Sequence, residues 1–393
     1  MKRILYVYHA SNVGGGTYCL LNILKEVNRC EIEPVVLLKS YGPLVDEINK
    51  MGIEVKYFSE MSQVPYNKPL YRRNVLSRYI KLEKSKRQFK EIVSKIKVDA
   101  VYLNTIVLAP YLETCKELGL KTIIHIREHW PLDEHKFQLQ RLQNCIMKYA
   151  DEIIAINSYS ASIVPNRNST IVYDWIDFKD RYEYKPFREI FKEDVSQLKV
   201  YLYTGGDQAI KGFYEVINAF SNHVKNMDAR LLVLGVGDFV IPKGVKGKIK
   251  RVLYWLGFDA KRKKAYELIK KDSRIVTIPG TYKIEHIFRQ AYCNLSYFTI
   301  PHANLALAES IILGTVTIAA KNEESLEYSD NGNLSILFEA GDYQSFLTAI
   351  DNLDSHHNIL KKRLKESDII QKQFDRRLNS QKLSEVYSRI LSI

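Results

Sequence analysis

Three stretches combine residue types that can hold an anion or a sugar hydroxyl. In Ser11-Asn-Val-Gly-Gly-Gly-Thr17, the glycines Gly14, Gly15 and Gly16 stand between an apolar run and a helical pattern. Glycine lets backbone N–H groups approach an anion, and a helix N-terminus favours negative charge. The run is neither a GxGxxG fingerprint nor a P-loop, and a tight turn accounts for it as well. In Thr204-Gly-Gly-Asp-Gln-Ala-Ile-Lys211-Gly212, the lysine stands beside the start of a helical pattern. It can pair with a diphosphate there, or simply point into solvent. In Asn304-Leu-Ala-Leu-Ala-Glu309, a carboxylate sits inside an apolar helical run. An unpaired charge is costly in that setting, so Glu309 needs a partner. A ribose diol suits it, and so does backbone near a helix start.

These residues must be carried by regular elements, and the hydrophobic pattern supplies them. Strand-length apolar runs cover Arg3–His9, Glu33–Leu38, Glu54–Phe58, Asp99–Asn104, Lys121–Arg127 and Glu152–Asn157. Helical patterns lie between them, over Thr17–Val27, Pro43–Met51, Val75–Ile96, Val107–Leu118 and Asp133–Tyr149. Several runs are apolar on consecutive residues, as in Val35-Val-Leu-Leu38, which suits strands covered on both faces. Such a βαβ series predicts a doubly wound parallel sheet. The pattern stops after Tyr173. A second series follows, with strands at Lys199–Thr204, Ala229–Gly235, Arg274–Pro279, Cys293–Phe298, Thr315–Ala320 and Leu334–Phe338. Its helices are expected at Phe213–Val224, Ile284–Ala291, Leu305–Leu313 and Tyr343–Leu353. The expected organisation is therefore a first domain over residues 1–173, a connection over 174–198, a second domain over 199–372, and a terminal helix over 373–393 that returns to the first domain. Ligands of open α/β sheets sit beyond the carboxyl ends of the strands. All three stretches fall there.

Composition narrows the setting. The 393 residues are 46% hydrophobic, which supports large cores and excludes global disorder. Five scattered cysteines without a CxxC pair argue against a disulfide framework and for a reducing compartment. No signal peptide is read at Lys2-Arg3, because His9 and Asn12 break the apolar stretch. The net charge of +13 is clustered. Residues 67–97 and 243–271 each hold 11 basic and 2 acidic residues. Such stripes can meet nucleic acid, anionic lipid or an anionic substrate, or form a solvated face. Recognisable nucleic-acid motifs are absent, so no nucleic-acid partner is expected.

Taken in order, the motifs resemble those of GT-B fold glycosyltransferases, the large retaining family that uses nucleotide-sugar donors. The resemblance runs over Gly14-Gly-Gly16, Gly42-Pro-Leu44, Asp99-Ala-Val-Tyr-Leu-Asn104, His125-Ile-Arg-Glu128, Ala150-Asp-Glu-Ile-Ile-Ala-Ile-Asn157 and Ile171-Val-Tyr-Asp-Trp-Ile-Asp177. It continues through Gly205-Gly206, Lys211-Gly212, Leu234-Gly-Val-Gly237 and Ala308-Glu309 to Gly314-Thr-Val316. It implies an α/β fold of two Rossmann-like domains facing a cleft. It also implies a donor site formed by Gly15, Gly16, Gly205, Gly206, Lys211, Asn304, Leu305 and Glu309. Lys211 would take the diphosphate, Glu309 the ribose, and the N–H groups from Asn304 onward the phosphate and sugar. Gly14, Asn104, His125 and Arg127 would lie on the acceptor side, with His125 near the reacting sugar; a histidine satisfied at the sheet edge is the alternative. His125, Lys211 and Glu309 are the expected catalytic set. Arg127 and Glu128 either pair with each other or serve the cleft.

Two positions depart from the family pattern. Many members carry two glutamates separated by seven residues, and the first position here is Pro301. The arginine often found after Gly205 is Gly206. The implied reaction is transfer with retention from a nucleoside-diphosphate sugar, UDP being the usual carrier, to a glycan or lipid-linked acceptor. Bacterial surface polysaccharide or glycolipid synthesis is the expected setting. No metal or other cofactor is expected, since lysine and helix ends can hold the diphosphate. Closure about the connection would exclude water. The expected location is the cytoplasm, with an anionic membrane surface as a partner for Tyr71–Leu82 and for the stripe holding Trp255, Leu256 and Phe258. A catalytically weak relative that binds nucleotide or a partner protein is the alternative reading.

Overall fold

The computed structural model describes residues 1–64, 72–128, 130, 136–176, 187–237, 259–281, 284–299 and 303–392, the side chains of 72–76 and 136–137 excepted. Pro301, Tyr71, Trp255, Leu256, Phe258 and residues 177–186 of the expected connection lie outside these. The chain divides into two compact units. The first comprises Met1–Asp177 and Phe374–Ile393, the second Phe178–Gln373.

The sheet of the first unit contains β1 (Lys2–Tyr8), β2 (Ile32–Leu38), β3 (Glu54–Tyr57), β4 (Ala100–Leu103), β5 (Lys121–Ile126), β6 (Glu152–Ala155) and β7 (Thr170–Ile171). Its order is β3-β2-β1-β4-β5-β6-β7, and its strand pairs are parallel. Ile4 to Val7 and Val35 to Leu38 are fully buried. This is why those runs are apolar on successive residues: helices cover both faces. On one face, Leu5, Val7, Leu103 and Ile124 pack with Phe89, Val93, Tyr111, Leu139 and Ile146. The second unit holds β8 (Lys199–Tyr203), β9 (Ala229–Leu234), β10 (Ile275–Ile278), β11 (Cys293–Ser296), β12 (Val316–Lys321) and β13 (Ile336–Glu339). Its order is β10-β9-β8-β11-β12-β13, again with parallel pairs.

Six helices matter below: α1 (Gly15–Glu26), α2 (Arg72–Ile96), α3 (Phe213–Asn222), α4 (Ala260–Lys271), α5 (Leu305–Ile312) and α6 (Arg376–Leu391). Helix α6 packs on the first unit. Its Tyr387 hydroxyl lies 2.9 Å from that of Tyr6 on β1, and Arg389 is ion-paired with Glu152 on β6. The sidedness of each sheet reverses where two neighbouring strands leave in opposite directions, which opens a crevice at their carboxyl ends. That point lies between β1 and β4 in the first sheet and between β8 and β11 in the second.

Candidate active site

In the first unit, the crevice is edged by the loop after β1, the residues after β4, and the end of β5. Gly14 is the N-cap of α1 in extended backbone at φ 177°, and no side chain caps the helix. The first turn holds no acidic residue. Gly14 and Gly15 are exposed, so their end of the helix presents free N–H groups and positive dipole. Gly16 has a different reason to be glycine. A Cβ there would meet the Tyr8 hydroxyl at 2.3 Å, whereas one on Gly14 would meet nothing within 4 Å. The glycine run is thus a close-packing device at its third member and an open helix end at its first.

Asn104, Thr105, His125 and Arg127 are buried together beyond β4 and β5. Arg127 forms a buried ion pair with Asp174, which follows β7. The same guanidinium donates to His125 Nδ1 at 3.1 Å and more weakly to Asn104 Oδ1 at 3.5 Å. The Tyr102 hydroxyl reaches His125 Nδ1 at 2.6 Å. Burial, and then the neighbouring Arg127 charge, hold the His125 pKa well below the usual histidine value, so the ring is neutral. Glu128 is not the ion-pair partner of Arg127. Its carboxylate accepts from the Thr105 hydroxyl, from the Ile106 N–H at 3.0 Å and from the Arg127 N–H at 3.1 Å. Glu128 therefore ties β5 to the turn after β4, and Arg127 is free to face inward.

In the second unit, the loop after β8 folds over Tyr203. The Tyr203 hydroxyl donates to the Lys211 carbonyl at 3.1 Å, and a Cβ on Gly205 would meet that hydroxyl at 2.1 Å. Gly206 sits at φ +62° and Gly212 at φ +72°, both in the region that favours glycine. Lys211 ends a single 3₁₀ turn (Ala209–Lys211) and is half-buried. Burial lowers its pKa, and no carboxylate among the described residues pairs with its ammonium. The loop after β11 is hydrogen-bonded to this turn through the Thr299 N–H and the Ile210 carbonyl at 3.0 Å. Asn304 caps α5: its Oδ1 accepts from the Leu307 N–H at 3.2 Å while its Nδ2 donates to Ser296 Oγ at 2.7 Å. Leu305 is the first helical residue, so its N–H and that of Ala306 remain for another acceptor. Glu309 is buried at the fifth helical position, two residues past the third position, from which a helix-start carboxylate reaches back to the N-cap backbone.

The sequence reasoning missed four participants. Tyr8 and Tyr102 looked like ordinary strand residues. Asp174 lay within a quoted motif but carried no role. Asp207, in the Gly205 loop, is paired with Arg262 of α4 and accepts from Tyr266 at 3.0 Å. Part of the second basic stripe is thereby used inside its own unit: Lys261 also pairs with Glu215 at 2.7 Å. In the first stripe, Lys86 and Lys90 pair with Glu113 and Glu117, while Lys81, Lys84 and Arg87 are exposed or carry no ion-pair partner among the described residues. Among the described residues no helix is long and apolar enough to cross a membrane, and no group of three or more His, Cys, Asp or Glu could hold a metal ion.

These two Rossmann-like units give the chain the GT-B fold. A structure of HepE from Anabaena in complex with UDP-glucose superposes with a TM-score of 0.73 at 17% identity, covering 99% of this chain and all of that one. A glycosyltransferase from Rickettsia africae matches with a TM-score of 0.69 at 17% identity, over 99% of this chain and 98% of the other. Sucrose-phosphate synthase from Thermosynechococcus elongatus gives 0.68 at 13% identity over the full length of both. No family model and no curated protein sequence matches the chain.

Proposed function

We propose that this protein is a glycosyltransferase that moves a sugar from a nucleoside-diphosphate sugar to a glycan or lipid-linked acceptor, with retention of configuration. The observation that carries the reading is Lys211. A half-buried ammonium without a carboxylate, at the crevice of a doubly wound sheet, is a poor stabilising element and a good anion receptor. UDP is the first candidate for the carrier, because HepE of the same fold was solved with UDP-glucose and with UDP. As the anomeric C–O bond breaks, Lys211 and the free N–H groups at Leu305 and Ala306 would stabilise charge on the leaving diphosphate. Glu309 would hold the ribose. Neutral His125 would donate to an oxygen of the sugar. The acceptor hydroxyl would attack on the face the diphosphate leaves. This arrangement requires no metal. The exposed cations of α2, with Ile80 beside them at 63% exposure, suit an acceptor carried on an anionic membrane at the cytoplasmic face. Surface polysaccharide or glycolipid synthesis is the setting that follows.

Gly206 favours a second reading. At φ +62° its position resists the arginine the family often places there, so the donor site has one cation fewer. A protein that binds nucleotide without transferring sugar would show this. Thermal stability with UDP, GDP, ADP and CMP, on the wild type, Glu309→Ala and Lys211→Met, separates the readings when paired with UDP-sugar hydrolysis. A ligand at a hundred times Kd adds about 2.7 kcal/mol. Selective stabilisation lost in both variants, with hydrolysis, supports transfer. Stabilisation without hydrolysis supports the second reading, and no stabilisation by any nucleotide overturns the donor site.

A further inference from the structure

The contacts of His125 define which ring nitrogen carries its proton. A guanidinium has five N–H donors and no acceptor. Arg127 stands 3.1 Å from Nδ1, so Nδ1 holds a lone pair and not a proton. The Tyr102 hydroxyl, 2.6 Å from the same nitrogen, must then donate as well. In the neutral ring the proton is left on Nε2. That nitrogen is buried and has no hydrogen-bond partner among the described residues, and Asn104 Nδ2 is a second buried donor in the same condition. Arg127 is itself fixed by the ion pair with Asp174, whose side chain is 14% exposed against 6% for Arg127.

We propose that Arg127, anchored by Asp174, and Tyr102 are positioning residues that lock His125 as the Nε2–H tautomer, so that it serves this site as a hydrogen-bond donor and never as a general base. Its Nδ1 lone pair is already shared by two donors, and its Nε2 has no lone pair to offer. The group that completes the site must therefore present acceptor oxygen to His125 and Asn104, which a sugar hydroxyl or ring oxygen does. Only the identity of that oxygen rests on the sugar-transfer reading; the lock itself does not.

The test is a two-bond ¹H–¹⁵N correlation spectrum of the full chain carrying ¹⁵N-histidine, with His125 assigned among the nine histidines by its loss in His125→Gln. The expected signature is a protonated Nε2 and an unprotonated Nδ1. A protonated Nδ1 overturns the proposal. In Arg127→Met, both ring nitrogens are expected to move toward the averaged values of a free tautomer mixture, and Arg127→Lys to restore part of the shift. Unchanged ring shifts in Arg127→Met overturn the role of Arg127. Should that variant fail to fold, Tyr102→Phe, which keeps the ion pair, takes its place: ring shifts that move toward the mixture support the lock, and unchanged shifts overturn the part of Tyr102 in it. Kinetically, kcat with a UDP-sugar is expected to fall about tenfold or more in Arg127→Met, with KM little changed. A locked tautomer in a protein that neither binds nor hydrolyses any nucleotide sugar would refute the sugar-transfer reading and leave the lock standing.

Discussion

Gly16→Ala probes why the glycine run is there. The added Cβ would fall 2.3 Å from the Tyr8 hydroxyl oxygen, about 1 Å short of an ordinary contact. Tyr8 is only 9% exposed and its ring stacks edge-on against His9 at 4.9 Å, so it has little room to swing. Overpacking of this kind costs about 1–3 kcal/mol, and alanine at a helical position returns about 0.5–1 kcal/mol of that. The expected net loss is about 1–2 kcal/mol. For a unit of this size that lowers the Tm by roughly 2–8 °C. Tyr8→Phe removes the offending oxygen, and the next atom, Cζ, is already at 3.4 Å. In the Tyr8→Phe background Gly16→Ala should therefore cost nothing or stabilise slightly. Differential scanning calorimetry of the four proteins closes the cycle. An equal loss in both backgrounds, or no loss beside Tyr8, would refute the packing argument. Gly14→Ala is the companion control. It has open space and backbone any residue adopts, so its stability should stay within about 0.5 kcal/mol of wild type. A loss of nucleotide binding in that variant would then report ligand contact at the helix end.

Asp174→Asn leaves the Arg127 charge buried without its partner and should cost about 3–5 kcal/mol; Arg127→Met added to it should recover part of that, as read by chemical denaturation. His9 is held down to about pKa 4, by burial first and then by Lys39. The unfolded chain takes up that proton first, so stability is full above about pH 6.5 and falls as the pH drops toward 4. His9→Gln should flatten that slope by up to about 1.4 kcal/mol per pH unit in pH-dependent denaturation, and an unchanged slope would count against it. For Lys211 the sign is the same and the window more alkaline: burial lowers its pKa, the unfolded chain binds the proton more tightly, and stability rises as the pH climbs toward the usual lysine range. Lys211→Met should remove that alkaline rise and be neutral or stabilising at pH 7, while abolishing any nucleotide-induced Tm shift.

The strands were legible because burial on both faces writes itself as unbroken apolar runs: each of the twelve predicted strands matches an observed one to within two residues at either end. Helix α4 was not, because it buries only Ala265 and Tyr266 and is held instead by ion pairs to Glu215 and Asp207. A helix without an apolar stripe has no period to read. The basic stripe that contains it looked like an external surface for the same reason. The burial of a candidate residue was legible where its type is costly in its place, as with Glu309 in an apolar helix. The site was illegible where the meaning is a distance in space. Asp174 lies 47 positions from Arg127 and follows a strand of two residues, too short to mark a strand end. Tyr102 carries a hydroxyl that matters only because β4 and β5 are neighbours.

The first unit is assembled from the two ends of the sequence, and this sets an order of events during synthesis. Its sheet leaves the ribosome early, yet the face of Tyr6 and Tyr102 stays uncovered until Tyr387 arrives, after the whole second unit has been made. At about 5–20 residues per second, translating the intervening residues 178–373 takes roughly 10–40 s. Throughout that interval Tyr6 and Tyr102 lack the cover of Tyr387, and transiently exposed apolar surface of this kind favours aggregation. The second unit, contiguous in sequence, can complete its fold first although it is made later.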